Sequence, residues 1–337
     1  MKKVVTLGEI LLRFSTQSGI RLNQADILTV HYGGAEANVA VSLAHFGYET
    51  YFISKVPNNP LGEAVKKHLQ SNGVRTDFLQ KGGERLGTYY LETGVGERGP
   101  QVIYDRKYSS FSQLSLEEAQ IEEMLKGAAL FHVSGITLAL SSNLRELTFL
   151  AIKKAKELGV KISFDFNYRA KLWSHQEASE AIKPLLPYAD FCFCGELDAI
   201  HILGFDKADA SIPADERLKY YYQRIREKYP NIEYICSTFR TSISASSNKL
   251  QGNLFVAGEL YQSKIHGIEP IVDRVGGGDA FAAGALSGFL EDLPPQEMIA
   301  FATAASALKH TVHGDCNCFT KEEVHQFLVS EQGKIAR

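Results

Sequence analysis

The chain has little of what marks an extracellular, membrane-bound or nucleic-acid-binding protein. Five cysteines occur in 337 residues, too few for a disulfide scaffold and odd in number, which fits a reducing compartment. Neither sign of charge dominates. With 36 basic side chains against 39 acidic ones, nothing draws the chain to nucleic acid or to an anionic membrane. No apolar run reaches the roughly 18 residues that cross a bilayer, and the stretch Gly127–Leu140 is broken by His132, Ser134 and Thr137. Met1–Leu7 begins like a leader, but Glu9 and Arg13 interrupt it too early. A Walker-type G-x-x-x-x-G-K-[ST] loop is also missing. The expectation is a soluble, cytoplasmic protein that meets neither membrane nor nucleic acid.

What is present is ordinary globular composition, 45% hydrophobic and 22% charged, in a chain long enough to bury a large core without staples. Short β-type runs alternate with amphipathic windows, the pattern of an α/β fold with a mainly parallel sheet. Lys3–Leu7, Tyr51–Val56, Leu130–Val133, Ile162–Asp165 and Phe191–Cys194 read as strands. Ala35–Phe46, Leu61–Asn72, Asn143–Leu158 and Ala178–Leu186 read as helices, the first two stopped by Gly47 and Gly73. Leu144, Leu147, Ala151, Ala155 and Leu158 make a stripe spaced for packing on the sheet. From Gly278 onward the pattern is helical. Thr88–Leu91 and Val102–Tyr104 have no helix between them. With Ile10–Phe14 and Asp77–Gln80 they are expected to form a small separate sheet, a lid built from segments roughly 10–32 and 75–110.

Two glycine clusters compete as phosphate binders. Gly94–Gly99 matches G-x-G-x-x-G, but Pro100 and a β-type run follow where a helix is required, so it reads as a hairpin turn. Asp273-Arg-Val-Gly-Gly-Gly-Asp-Ala-Phe281 is different, because three glycines run straight into a helix. Gly276, Gly277 and Gly278 can aim successive N–H groups at one anion, and the helix adds its positive end. Such a nest suits a phosphoryl group in flight, and Asp279 stands where a carboxylate can take a proton from an attacking hydroxyl. An N-cap aspartate before a tightly packed helix fits the spacing equally well.

The Gly-Gly-Gly-Asp-Ala-Phe segment resembles the C-terminal signature of the ribokinase-like (phosphofructokinase B) carbohydrate kinases. Gly33-Gly-Ala-Glu-Ala-Asn-Val-Ala40 is similar to their N-terminal one. The resemblance spans nearly the whole chain, and it implies a three-layer α/β/α domain with a small β lid. It also implies that Asp279 is the catalytic base and that Gly276–Gly278 form the anion hole. Arg85–Glu92, Val102–Ser110 and Asp165–Trp173 look most like 2-keto-3-deoxygluconate kinases. The resemblance then places Gly34, Asn38, Tyr90, Tyr104 and Arg106 around the sugar acid, and turns Asn167 and Arg169 toward substrate and nucleotide phosphates. Arg106 can meet a carboxylate with paired donors, and the two tyrosines offer hydroxyls beside apolar rings.

Some positions depart from the family. The expected glycine turn on the adenine side is Ser237-Thr-Phe-Arg-Thr-Ser242, which leaves Ser237, Thr238, Arg240 and Ser242 as nucleotide contacts. The magnesium-linked element falls near Cys194-Gly-Glu-Leu-Asp198, where Glu196 or Asp198 would act through water. The alanine usual in the C-terminal signature is Gly277. His310, His313, Cys316 and Cys318 have ligand chemistry but match no standard zinc spacing; the resemblance instead puts Asp315 at the site rim. Cys192 and Cys194 share one face of a strand and read as core. The expected reaction is transfer from magnesium ATP to the 6-hydroxyl of 2-keto-3-deoxygluconate, with Asp279 ionising normally. A hexose kinase such as a fructokinase, and a non-catalytic sugar-binding regulator, stay open. The resemblance implies homo-oligomers joined through the lid.

Overall fold

The first strand, Lys3–Leu7, is the innermost element of the molecule, with Val4, Val5 and Leu7 fully buried. Its β-branched run suits a strand covered on both faces. It pairs in parallel with Ala128–Ser134 on one side and Glu49–Val56 on the other. The computed structural model describes residues 1–329. Leu79–Lys81, Glu49–Val56, Lys3–Leu7, Ala128–Ser134, Lys161–Asp165, Phe191–Phe193 and Tyr234–Ser244 lie side by side and parallel. Ser247–Val256, Glu259–Gln262 and His266–Ile268 close one end antiparallel, making 10 strands in all.

Helices cover both faces. Pro295–Lys309 and Gly277–Leu290 pack together on one side with Ala35–His45, and Ser142–Glu157 covers the other. The stripe of that last helix is buried through Ala155, but Leu158 caps the helix and is 42% exposed. Among the described residues no helix is long and apolar enough to cross a membrane.

A second sheet of four strands runs in the order Thr29–Gly33, Leu11–Ser15, Thr88–Glu92, Gln101–Asp105. The expectation for Asp77–Gln80 is corrected here. Leu79–Lys81 pairs with Ser54–Val56 in the large sheet, because Leu79 is buried beside Val56 and Val65 there. The glycine-rich stretch after Glu92 is a turn, bridged between Val95 and Arg98. Strand alternation gives the small sheet two unlike faces. Leu11, Arg13, Tyr89, Leu91, Val102 and Tyr104 share the inner one, where the apolar members pack toward Val275. Phe14, Val30, Tyr90 and Ile103 share the outer one.

The hairpin Tyr234–Ser244/Ser247–Val256 is absent from the sequence reading. Its tip touches the small sheet: the Ala245 N–H donates to the Gly96 carbonyl at 2.7 Å.

Candidate active site

Helix Gly277–Leu290 begins beneath the small sheet, and Gly276 is its N-cap with φ 81°. A side chain at Gly276 would be strained by that angle and would also strike the Asp315 carbonyl. A Cβ at Gly277 would meet the His310 imidazole, whose Nδ1 lies 2.7 Å from the Ser306 carbonyl. The space an alanine would fill at Gly277 is thus taken by His310, which accounts for the middle glycine of the triplet. A Cβ at Gly278 would meet open space, and the Gly277 N–H makes only a long 3.4 Å bond to the Arg274 carbonyl, so this helix start is compatible with an incoming anion.

Asp279 sits in the first turn of this helix, and its Oδ2 accepts from Asn38 Nδ2 at 2.7 Å. The Asn38 Oδ1 accepts from the Gly34 N–H at 3.3 Å, so one amide fixes both the Gly33–Gly34 turn and the carboxylate. The expectation of normal ionisation is corrected. Burial pushes the Asp279 pKa up to about 6, against the Asn38 hydrogen bond and the charge of Arg169. Glu36, unnoticed in the sequence, anchors helix Ala35–His45, which carries Asn38; its Oε1 accepts from the Ser134 N–H, Ser134 Oγ and Thr137 Oγ1 at 2.7–3.0 Å.

A second carboxylate group stands opposite. Burial, then the charge of Asp279, pushes Asp165 up to about 8, while Arg169 pulls it down. Burial likewise raises Asp198, whose carboxylate accepts from the Gly195 N–H at 2.8 Å. Asn167 is held in the left-handed region at φ 40° by hydrogen bonds to Asp165. Arg169 is exposed and donates to the Tyr168 carbonyl at 3.1 Å. Asp279, Asp165, Asp198 and Arg169 therefore share one electrostatic neighbourhood.

Of the small-sheet residues, Tyr104 and Arg106 come together. The Arg106 guanidinium lies 5.8 Å from the Tyr104 ring centroid. It is not a free fork, since Nε donates to Glu9 Oε2 at 2.8 Å and Nη2 to the same oxygen, both partners being buried. Tyr90 is not brought in. It stacks on Phe14 at 5.3 Å on the outer face, one residue out of phase with Tyr104. Tyr89 holds the inward position, and its hydroxyl donates to Asp315. The strand register that pairs Tyr89 with Tyr104 decides this, and the sequence alone does not supply it. Asp315 is enclosed, not open at a rim; Arg13 Nη1 stands 3.0 Å from its Oδ1, and Arg13 also pairs with Asp273. A cavity of about 700 Å³ lies against this inner face, lined by Arg13, His31, Val102, Asp273 and Arg274 among others.

The expected nucleotide residues are divided. Ser237–Ser242 is continuous strand, so its side chains alternate. The Ser237 hydroxyl accepts from Tyr222 at 2.7 Å on one face. Thr238, Arg240 and Ser242 are on the other, paired in register with Gly252, Leu250 and Asn248. The charges of Arg240 and Arg274 both reach His310 beside the glycine triplet, and Arg274 was missed in the sequence. Glu196 is held by Arg217, whose Nε is 3.0 Å from its Oε1, so its carboxylate is already partnered.

The sequence profile of the pfkB family carbohydrate kinases matches residues 1–234 and 250–322. The chain is 34% identical over 99% of both lengths to 2-dehydro-3-deoxygalactonokinase of Haloferax volcanii. It is 29% identical to 2-dehydro-3-deoxygluconokinase of Bacillus subtilis, over 97% of this chain and 96% of that one. The crystal structure of 2-dehydro-3-deoxygluconokinase from Thermotoga maritima superposes with a TM-score of 0.94 at 41% identity, covering 98% of this chain and all of that one. With the family profile matched over most of its length and a relative 34% identical over 99% of both lengths, the chain belongs to the pfkB family of carbohydrate kinases.

Proposed function

We propose that the chain transfers the γ-phosphoryl group of ATP to the 6-hydroxyl of 2-keto-3-deoxygluconate, giving 2-keto-3-deoxy-6-phosphogluconate and ADP. The observation that carries this reading is Asp279, a carboxylate raised to about 6 and oriented by Asn38 at the mouth of the glycine nest. Its Oδ1 edge takes the proton of the 6-hydroxyl as that oxygen bonds to the γ-phosphorus. The bond from phosphorus to the β,γ-bridging oxygen breaks, and ADP leaves. The Gly276–Gly278 N–H groups meet the charge on the transferring oxygens.

Arg106 and Arg169 supply cations for the acid end and the phosphates, with Tyr104 covering the chain of the substrate. Glu9 holds the Arg106 plane by Nε and Nη2 and leaves the Nη1 edge for a carboxylate. Gly34 lines the sugar through its backbone beside Asn38. Thr238, Arg240 and Ser242, joined by Arg274, border the nucleotide. Asn167 turns toward its phosphates.

Magnesium fits Asp165 and Asp198. Both are carboxylates raised by burial, and Arg169 only partly offsets that. Among the described residues no three metal-type ligands converge, which suits an ion that keeps its waters and arrives on phosphate. Bound there, it would neutralise charge on the β- and γ-phosphates.

The 4-epimer, 2-keto-3-deoxygalactonate, is the second reading, favoured by the name and full-length match of the Haloferax relative. Steady-state rates with both keto-deoxy acids, fructose and ribose, read by ADP release, test both. Preference for either acid by about 100-fold in kcat/KM over fructose supports the reading. Preference for fructose overturns the acid assignment, and no turnover with any of them returns the sugar-binding regulator.

A further inference from the structure

Lys309 ends helix Pro295–Lys309 and is fully buried, yet no step of phosphoryl transfer uses it. Its Nζ stands 3.3 Å from the Asp273 carbonyl oxygen and 3.5 Å from that of Val312. Burial lowers its pKa, and the charges of Asp273 and Asp315 oppose that. Those two carboxylates also hold Arg13, so two cations and two anions balance in one enclosed cluster. A long cationic side chain is rarely buried without such partners.

The cluster lies directly behind the glycine nest. Val272 N–H donates to the His310 carbonyl at 2.9 Å, and Gly314 N–H donates to Asp273 Oδ2 at 3.1 Å. The Asp315 carbonyl presses on Gly276. The segments 272–277 and 310–315 therefore set the nest jointly, and the ammonium bridges a carbonyl of each. Without it, two carbonyls and two carboxylates would face Arg13 alone, leaving a net negative charge behind a site built for anions. Carbonyl oxygens around a compact monovalent charge are also the coordination that potassium and ammonium ions accept.

We propose that the Lys309 ammonium is a resident monovalent cation that positions Gly276–Gly278, and that a free ammonium or potassium ion can take its place when the side chain is removed. This rests on the reading of those glycines as the anion hole. The expected result for the unaltered enzyme is a rate that does not change between choline, sodium, potassium and ammonium chloride at fixed ionic strength. Lys309→Met should lower kcat by about 10- to 100-fold with little change in the sugar KM. Ammonium chloride should restore that rate severalfold along a saturation curve, while tetramethylammonium, too large for the space, should not.

An unaltered enzyme that needs potassium or ammonium overturns the proposal, and this decides the matter should Lys309→Met fail to fold. A folded Lys309→Met with normal kcat, or one whose loss no cation repairs, overturns it as well. Asp279→Asn separates the two levels. If that variant keeps near-normal kcat, the reading of this helix start as the phosphoryl-transfer centre itself fails. If it is inactive while Lys309→Met is normal, only the resident-cation proposal fails.

Discussion

Asn38 Nδ2 lies 2.7 Å from Asp279 Oδ2 across 241 residues of sequence, joining the first helix to the one that follows the glycine nest. The bond selects the carboxylate rotamer and leaves Oδ1 for a substrate hydroxyl. Asp279→Asn preserves an acceptor for Asn38 but removes the proton acceptor, so kcat should fall by about 10²–10⁴-fold. Steady-state rates at saturating substrate check this.

The same variant should be more stable. The folded pKa of Asp279 is raised from 3.8 to about 6, so its charged form opposes folding. That penalty grows as pH rises from about 4 to 6 and is then constant. Asp279→Asn should therefore melt higher at pH 7.5, by about 3 kcal/mol in stability at most, and gain much less at pH 4. Equal gains at both pH values would detach the effect from this carboxyl.

Acid should also titrate the reaction. With a base of pKa about 6, kcat/KM should drop tenfold per pH unit below that value and level off above it. In Asn38→Ala the midpoint should move up, because the hydrogen bond that favours the carboxylate is gone.

Arg106 is clamped by Glu9 in a buried pair, so Arg106→Ala does two things. It should cost about 3–5 kcal/mol of stability by stranding Glu9, and it should depress use of the keto-deoxy acid. The double variant Arg106→Gln with Glu9→Gln removes both charges together. It should fold well yet lose discrimination between acid and fructose, as measured by the ratio of their kcat/KM values. An unchanged ratio would free Arg106 from reading the acid.

Joining of lids is expected at the outer face of the small sheet, where Val30 and Ile103 are 48% and 55% exposed beside Phe14 and Tyr90. Ile103→Lys should shift the chain toward monomer in sedimentation, with the large sheet still folded. Val102, one residue away, packs inward with Tyr89 and Tyr104, so a charge there should disturb the site and not the oligomer.

The parallel core was legible because its strands and helices carry simple periods, from Lys3–Leu7 through Phe191–Phe193. The glycine triplet and Asp279 were legible as a possible phosphate nest because three glycines run into a helix, whereas their role and that of Asn38 came from the resemblance to the family signatures. The hairpin 234–256 was not, since Thr-Phe-Arg-Thr-Ser-Ile-Ser alternates too weakly to distinguish an exposed strand from a turn. Tyr90 was chosen over Tyr89 because two adjacent tyrosines look alike until the register with Tyr104 fixes which points inward. The Glu9–Arg106 and Arg13–Asp273 pairs join residues 97 and 260 positions apart, and composition holds no trace of such long-range charge matching.

The contact between the two hairpin tips has a different kind of consequence. Ala245 and Gly96 meet through main-chain atoms alone, so the tie is indifferent to most side-chain replacements at either position. It depends on loop length and on the presence of one amide proton. Ala245→Pro deletes that proton without altering any charge, whereas Ala245→Ser leaves it in place. The tie between the small sheet and the hairpin 234–256 is therefore written in chain geometry, and insertions at these tips should matter more than substitutions.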